Sequence, residues 1–321
     1  MATLKSSYFS RRAFASTLAG AALAKLCRAA EPAGLERLSW SADRAPALNL
    51  ERRYRADAQV LLLGLQLLHR ENVGGGSVLW REFKDGSNTR LLEFNGFSAP
   101  ERAAGLNRLG FIREMVRSAP DRGGECIYFG LMTASPEESA DEARKALHST
   151  TKEQIYSAID GRIGSAEAET TTARFTAPAG VSGRQSAELV QRARRALESA
   201  HPVVAPHPAH ECCQSFLQTL AAMLESPGRN EGRYFYSGRP YRIRLSRSAD
   251  PKATAQFRER GLLAASAEAI RVTGKVRREA GGKETDFRLW IPTAAERPLP
   301  LRIEYQPRSY LRLTFEAVAS E

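Results

Sequence analysis

Three of the five histidines and both halves of a cysteine pair fall within thirteen residues: His201-Pro202, then His207-Pro208-Ala209-His210-Glu211-Cys212-Cys213. Imidazole nitrogen and thiolate sulfur are the donors that Zn²⁺ and copper take, so His207, His210 and Cys212 are the candidate metal ligands. The spacing matches no standard zinc finger, and the prolines hold the donors along an extended path. The alternative is a proline-rich loop that ends where a helix begins. Three cysteines lie beyond the N-terminal thirty residues, Cys126, Cys212 and Cys213. Adjacent cysteines are poorly placed to pair with each other, so Cys126 is expected to pair with one of the two.

Other chemistry finds less support. No Gly-x-Ser-x-Gly elbow is present, and Gly180-Val181-Ser182-Gly183 lacks its spacing. Gly74-Gly75-Gly76 lacks the lysine and serine of a phosphate loop. Nothing in the sequence argues for an enzyme. A row of arginines, Arg242, Arg244, Arg271, Arg288, Arg302 and Arg312, alternates along C-terminal segments and reads as either a solvated face or an anion-binding one. The aromatics Trp80, Phe94, Tyr236, Tyr241, Trp290, Tyr305 and Phe315 read as a packed core or as the lining of a cavity.

The N-terminus carries an address. Ser10-Arg11-Arg12-Ala13-Phe14 matches the twin-arginine export motif, with an alanine-rich apolar run after it to Leu26. That run is too short to span a membrane, and Cys27-Arg28-Ala29 places cleavage after Ala29. The expected organisation is a signal peptide over 1–29, a linker over 30–50, and a mature domain over 51–321 in the periplasm, with no transmembrane segment. Removing Lys5, Arg11, Arg12, Lys25 and Arg28 lowers the formal charge from +11 to +6. So modest a charge on so long a chain argues against a nucleic-acid partner and leaves envelope lipid or anionic glycan.

The elements that must position these residues follow from periodicity. Strands are expected over 52–96, including 56–69, with a turn at Lys84-Asp85-Gly86-Ser87 and an end at Asn95-Gly96. Residues 98–225 are expected to be mainly helical. Capping boxes at Ser98 and Ser135 precede helices carrying Leu106, Leu109, Ile112 and Val116 and spanning Pro136–His148. Thr151–Gln154 is expected to start another helix, Ser182–Gln185 one that buries Leu189, Ala193 and Leu197, and Glu211–Glu225 a last one. Short strands are expected at Cys126–Phe129 and Thr171–Phe175. From 233 to 318 strands alternate apolar and charged residues, broken by a short helix over Asp250–Arg260. The fold class is α+β: an antiparallel meander forming a barrel or half-barrel, with a helical insertion in the middle.

The C-terminal third resembles the exported bacterial family called domain of unknown function 3108. The likeness rests on Tyr236-Ser237-Gly238-Arg239-Pro240-Tyr241, Ile270-Arg271-Val272-Thr273-Gly274, and Phe287-Arg288-Leu289-Trp290-Ile291-Pro292 before Pro300-Leu301-Arg302-Ile303. Residues 125–200 depart from it. The resemblance implies an antiparallel barrel-like fold in the cell envelope and brings no assigned chemistry. Two functions remain: a non-catalytic envelope protein that binds an apolar or anionic envelope component, or an exported metalloprotein using the His201–Cys213 cluster.

Overall fold

The computed structural model describes residues 46–62, 65–84, 89–99, 102, 108–119, 123–133, 153–164, 167–178, 186–206, 214–282, 284–293, 295–308 and 311–319. Fourteen strands run in chain order: β1 (Leu48–Leu62), β2 (Leu65–Phe83), β3 (Thr89–Ser98), β4 (Leu109–Ala119), β5 (Gly123–Thr133), β6 (Glu153–Ile163) and β7 (Glu167–Pro178) form the first half. The second half is β8 (Val203–Pro206), β9 (Glu231–Tyr236), β10 (Arg239–Ala249), β11 (Ala269–Arg278), β12 (Thr285–Pro292), β13 (Arg302–Arg308) and β14 (Leu311–Ala317). Among the described residues three helices interrupt them: α1 (Ser186–Glu198), α2 (Phe216–Glu225) and α3 (Pro251–Glu259).

All strands belong to one antiparallel sheet. It runs outward from β1 through β2 to β8 on one side and through β14 down to β9 on the other. The sheet is not closed, so β8 and β9 are its edges. The two edges still meet through side chains, because Phe235 of β9 shares a cluster with Cys126, Tyr128, Ile159, Ile163 and Ala168, against which Ala205 of β8 also packs. Tyr236 packs on Tyr128 with the ring planes tilted by 32° and the centroids 5.5 Å apart. The end of the sheet therefore lies against one face of β5–β7, here termed the inner face.

The strand readings at 52–96 and 233–318 agree with the structure, as do the turns at Ser237-Gly238 and Gly281-Gly282, whose positive φ angles suit tight hairpins. The short helices also agree: α1 buries Leu189, Ala193 and Leu197, and Asp250 caps α3 by accepting a hydrogen bond from Ala253 N at 3.0 Å. Two boundaries differ. Strand β1 begins inside the segment expected as linker, and β3 continues through Asn95-Gly96 to Ser98. Gly74-Gly75-Gly76 lies within β2, where a side chain on Gly74 would collide with the Phe97 carbonyl.

The helical insertion is not what the described residues show. Leu109, Ile112 and Val116 sit in β4, and Glu153 and Gln154 open β6 rather than a helix. The cause is burial on both faces. Ile127, Phe129 and Leu131 of β5 pack with α1 on the outer face, while Cys126 and Tyr128 pack on the inner one. A strand covered on both sides loses its period-two pattern, and its apolar runs then imitate helix spacing. The expected helix over Pro136–His148 lies outside the described residues.

Candidate functional site

Helix α2 is the element that organises the inner face. It sits between β3–β4 on one side and β9–β10 on the other, with Gln218, Thr219 and Met223 fully buried. Its N-terminus is capped from the sheet instead of by its own residue. Glu114 of β4 is wholly buried and accepts a hydrogen bond from Gln218 N at 2.9 Å. The Ser215 hydroxyl and the Leu217 amide also face this carboxyl, while Oε1 has no hydrogen-bond partner. Burial pushes Glu114 up to about 7, against the opposing pull of these donors and of Arg90. Cys126 lies beside this cap, its Sγ 3.0 Å from Ser215 Oγ.

The other end of α2 is held by charge. Arg90 donates to Gln218 Oε1 at 2.8 Å and to Glu225 Oε2 at 2.9 Å, and Arg297 reaches Glu225 at 3.2 Å and Glu82 at 2.6 Å. Both guanidinium groups lie over the Trp80 indole, Arg90 at 5.3 Å and Arg297 at 5.8 Å from its centroid. Arg247 donates to the Met223 carbonyl at 2.7 Å, satisfying a C-terminal acceptor of the helix. The helix thus covers its part of the inner face with buried Gln218, Thr219 and Met223.

Beyond α2, towards the opposite ends of the strands, the inner face changes character. Register places Gly110, Met132, Ser157 and Arg174 in one row across β4, β5, β6 and β7. Met132 is 47 % exposed and Ile155, on the same face one row further, is 40 % exposed. A Cβ added to Gly110 would meet no atom within 4 Å. Tyr236 at the end of β9 covers the preceding row, its hydroxyl lying 2.7 Å from where a Cβ on Gly130 would be. Strand β8 pairs with β7 only over Glu167–Thr170, so Thr172, Arg174 and Thr176 remain exposed at this margin. The result is an apolar shelf, one strand-row past the last covering residue, with polar groups along its open edge.

The residues singled out from sequence separate in space. His201 is exposed, while His207, His210, Cys212 and Cys213 lie outside the described residues, as do Ser10, Arg11, Arg12 and Phe14 of the export motif. Among the described residues no group of three His, Cys, Asp or Glu side chains is placed to hold a metal. Four of the six arginines meet carboxylates: Arg242 with Glu279 at 3.9 Å, Arg244 with Glu231 at 3.0 Å, Arg288 with Glu304 at 3.3 Å, and Arg302 with Glu316 at 2.5 Å. Arg271 is exposed and Arg312 half-buried. The aromatics mostly pack as core: Phe94 on Phe315 at 5.7 Å, Tyr241 on Tyr234 at 5.2 Å, and Trp290 beneath α3, donating to Asp250 at 2.9 Å. Tyr305 is 39 % exposed.

Sequence reasoning missed both Glu114 and the shelf. Glu114 reads as an ordinary surface carboxylate until β4 is known to be buried on both faces. The shelf needs the register of four strands, and in sequence β4 and the start of β6 imitate helix while β5 and β7 look shorter than they are.

No family model matches the chain, and no curated protein matches it. Among solved structures, it is similar to the crystal structure of a β-barrel-like protein of domain of unknown function 1849 from Brucella abortus. That similarity has a TM-score of 0.42 and 7 % identity, covering 85 % of this chain and 98 % of the other.

Proposed function

We propose that the chain is a non-catalytic protein of the bacterial cell envelope, exported by its twin-arginine signal, whose rolled sheet is a half-barrel that takes up an apolar envelope component. The observation that carries this reading is the two uncovered apolar residues on the inner face past α2, Met132 and Ile155 in adjacent rows, with open space above Gly110. Exposed apolar residues scattered over a surface need no explanation, but these share one face of adjoining strands. The resemblance to the domain 3108 family supports an envelope role, and the signal motif supports export. Among the described residues no helix is long and apolar enough to cross a membrane.

Native mass spectrometry of the mature protein, exported through its own signal and purified without detergent, tests the reading. A bound species in the lipid mass range is expected, to be lost in Gly110→Trp, which fills the space above the shelf. The bare polypeptide mass, persisting after incubation with envelope lipid extract, would refute uptake.

A further inference from the structure

The shelf has a directional polarity that specifies more than an apolar ligand. Its floor runs from Gly110 through Met132 to Ser157 and ends at Arg174, in register across four neighbouring strands. Three interstrand steps of about 4.8 Å make this row roughly 14 Å long. Ile155 flanks the apolar part, while exposed Thr172 and Thr176 flank Arg174 on the same face of β7. The gradient from apolar floor to guanidinium edge matches a molecule with one hydrocarbon tail and one anionic end.

Arg174 differs from most of the strand arginines near the C-terminus that the sequence singles out. Those at 242, 244, 288 and 302 face a carboxylate. Opposite Arg174 in the ladder stands Ser157, and its neighbours on that face are threonines. No acidic residue shares its row, so the charge is offered towards the shelf and the solvent beside it. A planar guanidinium takes a carboxylate through two parallel hydrogen bonds, with hydroxyl donors nearby to complete the oxygens' coordination.

We propose that the shelf binds a free fatty acid, with the tail over Gly110, Met132 and Ile155 and the carboxylate on Arg174. This rests on the uptake reading above and narrows it to one ligand class. Tyr236 closes the floor on the side of Gly130, so a tail lies along the row from Gly110 towards Arg174, with Ile155 on its other flank. The bond to Arg174 forms at an exposed edge, so its contribution is salt-sensitive and moderate.

Isothermal titration of the mature chain with dodecanoate and with dodecan-1-ol, which shares the tail and lacks the charge, separates the two levels. Dodecanoate is expected to bind about tenfold more tightly than the alcohol, and Arg174→Ala to remove that difference while leaving alcohol binding unchanged. Gly110→Trp is expected to abolish binding of both. Gly110 and Arg174 lie at open positions, and matching thermal melts will establish that the variants fold. Equal binding of acid and alcohol, unaffected by Arg174→Ala, overturns the fatty-acid assignment and leaves apolar uptake standing. Binding that survives Gly110→Trp overturns the location. Absence of binding by either probe overturns the assignment together with the uptake reading.

Discussion

Replacing Glu114 by Gln changes one charge at the most enclosed carboxyl of the described residues and preserves its shape. The amide oxygen can still accept from Gln218 N, so the cap on α2 survives while the buried charge does not. In the folded protein burial raises this group from 4.5 to about 7. An acid whose folded value lies above its unfolded one binds more protons in the folded state between those two pH values. Stability is therefore full below about pH 4.5 and declines as pH rises towards 7. At roughly 1.4 kcal/mol per pH unit, the ionised carboxylate costs up to about 3 kcal/mol at pH 8, a figure that already contains the opposing pull of Arg90 and the helix donors. Glu114→Gln should match the parent protein at pH 5 and exceed it at pH 8 by an amount approaching that limit. Depressed carboxyls such as Glu82, held down by Arg297, and Glu279, held down by Arg233, act only below their unfolded value and leave this window untouched. Urea unfolding followed by tryptophan fluorescence at pH 5, 6, 7 and 8 reads the difference directly. A variant destabilised equally at every pH, or a parent whose stability does not fall from pH 5 to 8, would refute the reasoning.

Trp80→Ala should destabilise by about 3–5 kcal/mol, since it empties the buried space between Arg90, Arg297 and Leu217; a denaturation midpoint close to the parent's would contradict that packing. Gly232→Ala should cost about 1–3 kcal/mol, because the new Cβ would stand 2.7 Å from Met223 Sδ and 2.8 Å from Thr219 Cγ2. Gly110→Ala should stay within about 0.5 kcal/mol of the parent, and thermal melts showing the reverse order would invert the assignment of filled and open halves. Changing Arg11 and Arg12 together to Lys should leave uncleaved precursor in the cytoplasmic fraction, and undiminished export would remove the twin-arginine reading. Elemental analysis of protein made without added metal is expected to show no stoichiometric zinc or copper; metal lost on combining His207→Ala with Cys212→Ala would restore the metalloprotein alternative.

The C-terminal strands were legible because their outer positions are wet: Arg242, Arg244 and Arg288 alternate with Ile243, Leu245 and Leu289 and mark the period plainly. The capped helices were legible because caps are local, as Asp250 before α3 illustrates. Strands β4 to β6 were not, since α1 and the inner-face packing bury both of their sides, and Gly110-Phe111-Ile112-Arg113-Glu114-Met115 presents no alternation to read. Arg113 and Glu114 in that run are polar yet buried, one paired with Glu93 across the ladder and the other accepting from α2 through one oxygen. Neither partner is near in sequence, so no local rule could have found them. The shelf was hidden for the same reason: its four row members are spread from 110 to 174, and only pairing brings them together.

A barrel joined by a hydrogen-bonded ladder has its girth fixed by strand number and stagger, so it can widen only in whole strands. Here the meeting of the two edges is made by Phe235 and Tyr236 resting on Cys126, Tyr128 and Ile159, with no ladder between β8 and β9. Side-chain size at these few positions then sets the girth continuously. Exchanging one aromatic for another there would change the space inside without gaining or losing a strand.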